Sequence, residues 1–152
     1  MAKVGKGTKL FVGPAATVQN PALAAYTAVT GTSWKQVAKL KEFGEIGEGS
    51  REVVKDELLD EDNVSKFKGV NDPGSTTVKV QREPADAGQL AMKAAVQTDA
   101  PLLFKLVYSD GATQYFAALV VSAKNEASGA NDVMMTSFEL EYTGTVAEQA
   151  AA

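Results

Sequence analysis

The chain of 152 residues contains no histidine and no cysteine. Without cysteine there are no disulfides, no thiolate nucleophiles and no thiolate metal sites. Histidine is the side chain whose ordinary pKa lies near neutrality, and it is the commonest imidazole ligand of metals. Its absence removes Ser-His-Asp and Cys-His nucleophile activation and, with cysteine missing too, the usual zinc and haem sites. Carboxylate chemistry, lysine chemistry and oxygen-ligated metals are what remain. The expectation is therefore a non-enzymatic protein without a cofactor. Aromatic residues make up only 7% of the chain, with a single tryptophan, which disfavours a stacking surface for sugars or bases. No apolar run approaches the roughly 18–20 residues that span a bilayer, so no membrane partner is expected. The start, Met1 to Lys9, carries the charge of a signal sequence, but Gly13-Pro14 breaks the apolar stretch behind it, and no secretory signal is expected.

What is present is ordinary globular composition: 45% hydrophobic and 22% charged residues, enough to build a core without staples. The length fits one domain. Fifteen basic against nineteen acidic residues give a net charge of −4. That balance argues against broad wrapping of nucleic acid, which needs a basic surface.

Residues 1–32 read as an N-terminal arm: they are rich in Ala, Thr, Gly and Pro, and only Lys9-Leu10-Phe11-Val12 has the look of a strand. The domain proper is expected over 33–145, with a tail at 146–152. Trp34 to Phe43 reads as one strand, followed by a glycine-rich loop and a second candidate strand from Glu52 to Leu59, for which a helical turn is the alternative. A polar stretch then leads to Asp72-Pro73-Gly74, a turn in which proline presets φ and glycine accepts a positive one. Thr76 to Glu83 alternates as a strand does. Asp86 is a good N-cap, with Gln89 completing a capping-box-like pair. The helix it opens places Ala87, Leu90, Ala91, Ala94 and Ala95 on one face, and Pro101 lies beyond its stop.

Three strands close the chain. Leu102, Phe104, Leu106 and Tyr108 share one face of the first, and Ser109-Asp110-Gly111-Ala112 carries a hairpin signal. Gln114 to Lys124 is apolar on both faces, so it needs cover from the helix or from another subunit on its second face. In the last strand Met134, Phe138, Leu140 and Tyr142 point inward while Ser137, Glu139, Glu141 and Thr143 point outward. The fold class is mainly β, an antiparallel sandwich or partial barrel with one flanking α-helix. There is no internal repeat.

Candidate chemical motifs are weak. Gly44-Glu45-Ile46-Gly47-Glu48-Gly49-Ser50 shares only composition with a phosphate loop and lacks its Lys-Ser/Thr ending. The acidic run Asp56 to Asn63 lacks the order of a calcium loop. Glu139 and Glu141 are a carboxylate pair of the kind glycosidases use, but nothing suggests a pocket around them. Trp34, Phe43, Tyr108 and Tyr115 fit core positions.

The order of elements resembles the major tail tube protein of long-tailed bacteriophages. The resemblance runs from Trp34 to Gly144. It rests on the Trp-led strand and long loop, then Phe67-Lys68-Gly69-Val70-Asn71-Asp72-Pro73-Gly74, then the helix opening Asp86-Ala87-Gly88-Gln89-Leu90. Tyr108-Ser109-Asp110-Gly111, Tyr115 to Val120 and the ending Glu141-Tyr142-Thr143-Gly144 complete it. The resemblance implies a virion protein, made in the host cytoplasm, whose hexameric rings stack so that subunit sheets join into a large β-barrel tube. DNA would pass through the lumen without specific binding, and Glu139 and Glu141 are the lumen-facing candidates. The 44–74 loop and the N-terminal arm would contact adjacent rings, with Glu45, Glu48, Asp60, Glu61, Asp62, Lys66 and Lys68 of the loop as candidates. Tape measure, tail terminator and tail tip proteins are the partners it implies. The competing readings are a monomeric sandwich that binds glycan or protein, and a carboxylate hydrolase.

Overall fold

The computed structural model describes residues 7–16, 21, 23–29, 31–44, 46, 50–60, 62–126, 129–131 and 133–150. Nine strands and two α-helices are found among them: β1 (Lys9–Ala15), α1 (Leu23–Thr27), β2 (Lys35–Gln36), β3 (Leu40–Phe43), β4 (Ser50–Asp56), β5 (Ser65–Asp72), β6 (Ser75–Gln81), α2 (Ala87–Ala95), β7 (Leu102–Val107), β8 (Thr113–Glu126) and β9 (Met135–Gln149). All pairings are antiparallel. The seven-stranded main sheet runs β2-β1-β7-β8-β9-β6-β3, and β4 and β5 form a separate two-stranded sheet.

The edges of the main sheet, β2 and β3, are joined by three residues, Val37, Ala38 and Lys39. Residues 36 and 40 are therefore at most about 14 Å apart. Opposite edges held that close force the sheet to curl on itself, and one core fills the curl. Leu10 and Val12 of β1, Phe104 of β7, Phe116 of β8, Phe138 and Leu140 of β9 and Val78 and Val80 of β6 all pack into it. Met92 and Ala95 of α2 complete this core. Phe104 and Phe116 stack with ring centroids 5.1 Å apart, and Tyr142 meets Phe116 edge-on at 5.2 Å.

The strand expected from Trp34 to Phe43 is thus two short strands around a corner. Lys39 has φ 62°, a left-handed conformation that no continuous strand accommodates. The expected arm, read as lying along a surface with a short strand at Lys9 to Val12, is part of the main sheet: β1 runs to Ala15 and pairs with β7 and β2, because Leu10 and Val12 are core residues. The arm also carries the short helix α1, a second helix beside α2. The expected tail at 146–152 is, up to Gln149, a continuation of β9 that pairs with β8 as far as Thr113↔Gln149. The polar stretch before Asp72 contains the unforeseen strand β5, and the long central loop is largely a β-hairpin.

Helix α2 begins as expected at Asp86, whose carboxylate accepts the Gln89 N–H at 3.0 Å. The reciprocal half of the capping box does not form. The Gln89 side chain instead accepts from Glu83 N and donates to the carbonyls of Ala38 and Gln81. The buried face is Gly88, Gln89, Met92 and Ala95, rotated from the expected alanine face, and Leu90 is half exposed. Met134, expected inside, is exposed and precedes β9; Thr136 takes the inward place.

Both faces of the first half of β8 are covered by this chain itself. Phe116, Ala118 and Val120 face the main core. Tyr115 and Ala117 face a second cluster with Leu103, and Tyr26 of α1 and Trp34 close over it. Tyr26 stacks on Tyr115 at 5.4 Å, and the Lys105 ammonium lies over the rings of Phe11 and Trp34 at 4.6 and 5.1 Å. Burial lowers the pKa of that lysine. Trp34, Phe43, Tyr108 and Tyr115 all pack against the two clusters, as core positions should.

Candidate functional site

The outer face of the main sheet divides in two. Over β7 and the start of β8 it is apolar and hidden beneath α1 and Trp34. Over β3, β6, β9 and the end of β8 it is uncovered and largely polar, with Leu119 and the exposed Val121 of β8 as apolar exceptions. Period-two alternation does this: Phe138, Leu140 and Tyr142 enter the core, so Glu139 and Glu141 stand on the exposed side.

Strand register surrounds these carboxylates with neutral neighbours. Glu139 lies beside Thr77 of β6 and Ser122 of β8, and Glu141 beside Ser75 and Leu119. The basic residues of this face lie further along: Lys79 and Lys124 flank Ser137, and Lys79 is opposite Glu42 of β3. The result is an open, largely polar wall with two carboxylates in its middle. Among the described residues no cluster of three or more carboxylates comes together to hold a metal ion. No helix among them is long and apolar enough to cross a membrane.

The second candidate region is the β4–β5 hairpin. Every residue from Arg51 to Asp60 is exposed, so the hairpin stands away from the body. Register places Val53 opposite Lys68, Lys55 opposite Lys66 and Val54 opposite Phe67. One face therefore gathers Arg51, Lys55, Lys66 and Lys68. The other carries Val54 and Phe67 with Glu52 and Asp56. The tip bears Leu58, Leu59, Asp60 and Asp62, all exposed. Glu45, Glu48 and Glu61 of the sequence candidates lie outside the described residues. Like charges directly opposite one another, as at Lys55 and Lys66, weaken an isolated hairpin. Among the described residues, seven of the twelve exposed large hydrophobic side chains belong to this hairpin, from Val53 to Val70, which marks it as a contact surface. The alternation of Lys66-Phe67-Lys68 is the local signal for β5, and it is interrupted at Gly69-Val70, where the pairing shifts register.

A model of the lambda phage tail tube protein family matches residues 18–148. The chain belongs to the lambda phage tail tube protein family. As a tail tube protein it is a structural component of the phage tail. Among curated proteins none matches it at a significant level. Solved structures share its fold. The SPP1 tail tube is 21% identical with a TM-score of 0.64, over 97% of this chain and 78% of that one. The tail of an empty gene transfer agent particle, with C6 symmetry, is 15% identical with a TM-score of 0.64, over 98% and 100%. A sheath/tube terminator of an extracellular contractile injection system is 13% identical with a TM-score of 0.66, over 99% and 98%. In this tail tube protein the polar wall and the hairpin are surfaces that its own fold leaves uncovered.

Proposed function

We propose that six copies of the chain form a ring, that rings stack into the tube of a long phage tail, and that the uncovered half of the main sheet is the inner wall. Glu139 and Glu141 then face the lumen, and the hairpin, with Asp60, Asp62, Lys66 and Lys68, reaches the next ring. The carrying observation is the division of one sheet face: its apolar half is covered by the chain's own arm, and its polar half is left bare. A bare polar wall suits a water-filled conduit. Central carboxylates with neutral neighbours repel a polyanion and keep it from sticking. The six-fold order follows the C6 symmetry of the related gene transfer agent tail. Terminator, tape measure and tail tip proteins are the partners at the ends and in the bore.

Electron microscopy of the purified protein tests this directly, with rings or tubes of uniform bore as the expected result. A species that stays monomeric at high concentration in several buffers overturns the reading. The wall is tested separately by Glu139→Lys with Glu141→Lys. Tubes of this variant should still form and should now retain DNA at low salt, releasing it as salt rises. Tubes whose DNA retention is unchanged place the two residues elsewhere.

A further inference from the structure

Apart from Leu23 and Val121, the exposed large apolar side chains of the described residues lie either on the hairpin or beyond the far end of β6. The hairpin joins β6 at its start, through Pro73 and Gly74. At its far end Arg82, Pro84, Leu90 and Lys93 line an open cleft of about 90 Å³, floored by the buried Gln89 and Thr136. Leu90 on its lip is 50% exposed, and Met134, whose carbonyl accepts from Arg82 N at 3.0 Å, is 49% exposed with Val133 beside it. Helix α2 packs on the sheet through Met92 and Ala95, so nothing in its own packing requires a leucine at position 90.

The hairpin tip is complementary to this cleft in shape of charge and in apolar content. From Asp56 to Val64 the chain has acids and no cation. Leu58 and Leu59 project between them, Leu59 wholly exposed. The cleft offers two cations, Arg82 and Lys93, around an exposed leucine, against the single acid Glu83. Tip and cleft are different surfaces, so a contact between them is heterologous, the kind that can repeat from one copy to the next.

Resting on the tube reading above, we propose that the Leu58–Asp62 tip of one copy seats in the Arg82–Leu90–Lys93 cleft of a copy in the next ring, and that this contact drives ring stacking. Leu58 and Leu59 cover Leu90 and Met134, while Asp60 and Asp62 meet Arg82 and Lys93. The occupant is a second copy because the charge and the apolar content of each surface answer the other's within one chain.

The absence of cysteine supplies a clean test. In Leu59→Cys combined with Leu90→Cys, oxidation of assembled tubes should give a ladder of dimers, trimers and longer covalent strings on a non-reducing gel. Either single substitution should give no ladder. Charge reversal at Asp60→Lys with Asp62→Lys should cut pelletable tubes at least tenfold while leaving single rings. Arg82→Glu with Lys93→Glu should do the same, and all four changes together should restore tubes. Tubes that form without the ladder, or that survive either reversal undiminished, overturn the docking while leaving the tube reading intact. A wild-type chain that forms neither rings nor tubes overturns the tube reading, and the docking with it.

Discussion

Asp86 accepts the backbone N–H of Ala38 at 3.1 Å, across 48 residues of sequence. The same oxygen accepts the Gln89 N–H at 3.0 Å and so caps α2. One carboxylate thus ties the helix start to the corner at which the two sheet edges meet. Asp86→Ala should remove both bonds and cost about 2–3 kcal/mol, the sum of a lost cap and a second charge-assisted bond. Asp86→Asn, which keeps an accepting oxygen, should cost less than about 1 kcal/mol. Urea denaturation of the three proteins checks the order.

Gln89 closes the same corner from the helix side. Its amide satisfies Glu83 N, Ala38 O and Gln81 O at 3.1, 2.9 and 3.0 Å. Leucine has similar bulk but leaves three backbone groups unpaired. Gln89→Leu should therefore destabilise by about 3–5 kcal/mol, at the upper end for single substitutions. A midpoint of denaturation close to wild type would show that water replaces the amide.

Gly88 sits where the helix touches the chain at the corner. A Cβ there would lie 2.4 Å from the Gln36 carbonyl oxygen and 2.8 Å from the Val37 Cα. Both are backbone atoms and cannot swing aside. Gly88→Ala should cost about 2–3 kcal/mol, in spite of the roughly 1 kcal/mol that alanine gains in a free helix. At Gly31 an added Cβ meets nothing within 4 Å. Gly31→Ala should stay within about 0.5 kcal/mol of wild type, and paired thermal melts separate the two cases.

Stability should fall in alkali. Burial pushes the Tyr26 hydroxyl up to about 12 and also raises Tyr142, and burial, then Glu148 and Asp110, raise Tyr108. A tyrosine unfolds to an ordinary pKa of about 10, so the folded state holds protons the unfolded chain has released. The stabilisation is complete below about pH 10 and is lost as pH rises towards about 12. The Tyr26 hydroxyl has no hydrogen-bond partner among the described residues. Tyr26→Phe should equal or exceed wild type by up to about 1 kcal/mol at neutral pH, with a shallower alkaline decline. Denaturant melts at neutral and alkaline pH measure both effects.

Much of the fold is legible where local chemistry and tertiary contacts agree. Glu139 and Glu141 alternate with Phe138, Leu140 and Tyr142 because one face of β9 is buried and the other is not. Asp110-Gly111 turns the chain between β7 and β8, with Gly111 at φ 93°. Other elements are hidden because their partners lie far away in sequence. Leu10 and Val12 look like part of a loose arm until β7 is placed beside them. Val146 and Ala147 look like a tail until β8 pairs with them. The face of α2 is displaced because buried Gln89 replaces an apolar residue, a choice set by three backbone groups from other elements. The cleft at Arg82 and Lys93 has no local pattern, since β6, α2 and β9 each supply part of it.

Strong alternation in β9 and a two-faced apolar β8 determine by themselves a β-rich fold in which one strand needs cover on both faces. Composition and period-two patterning are local properties, and the hydrophobic effect acts on them directly. Only the tertiary structure decides what covers each face of β8. Tyr26 of the arm, with Trp34, hides the apolar half of the outer face, and the corner at Ala38 curls the sheet so that its inner face encloses the main core. Which polar residues then remain bare, and which ends of β6 can meet in a stack, follow from long-range register and closure.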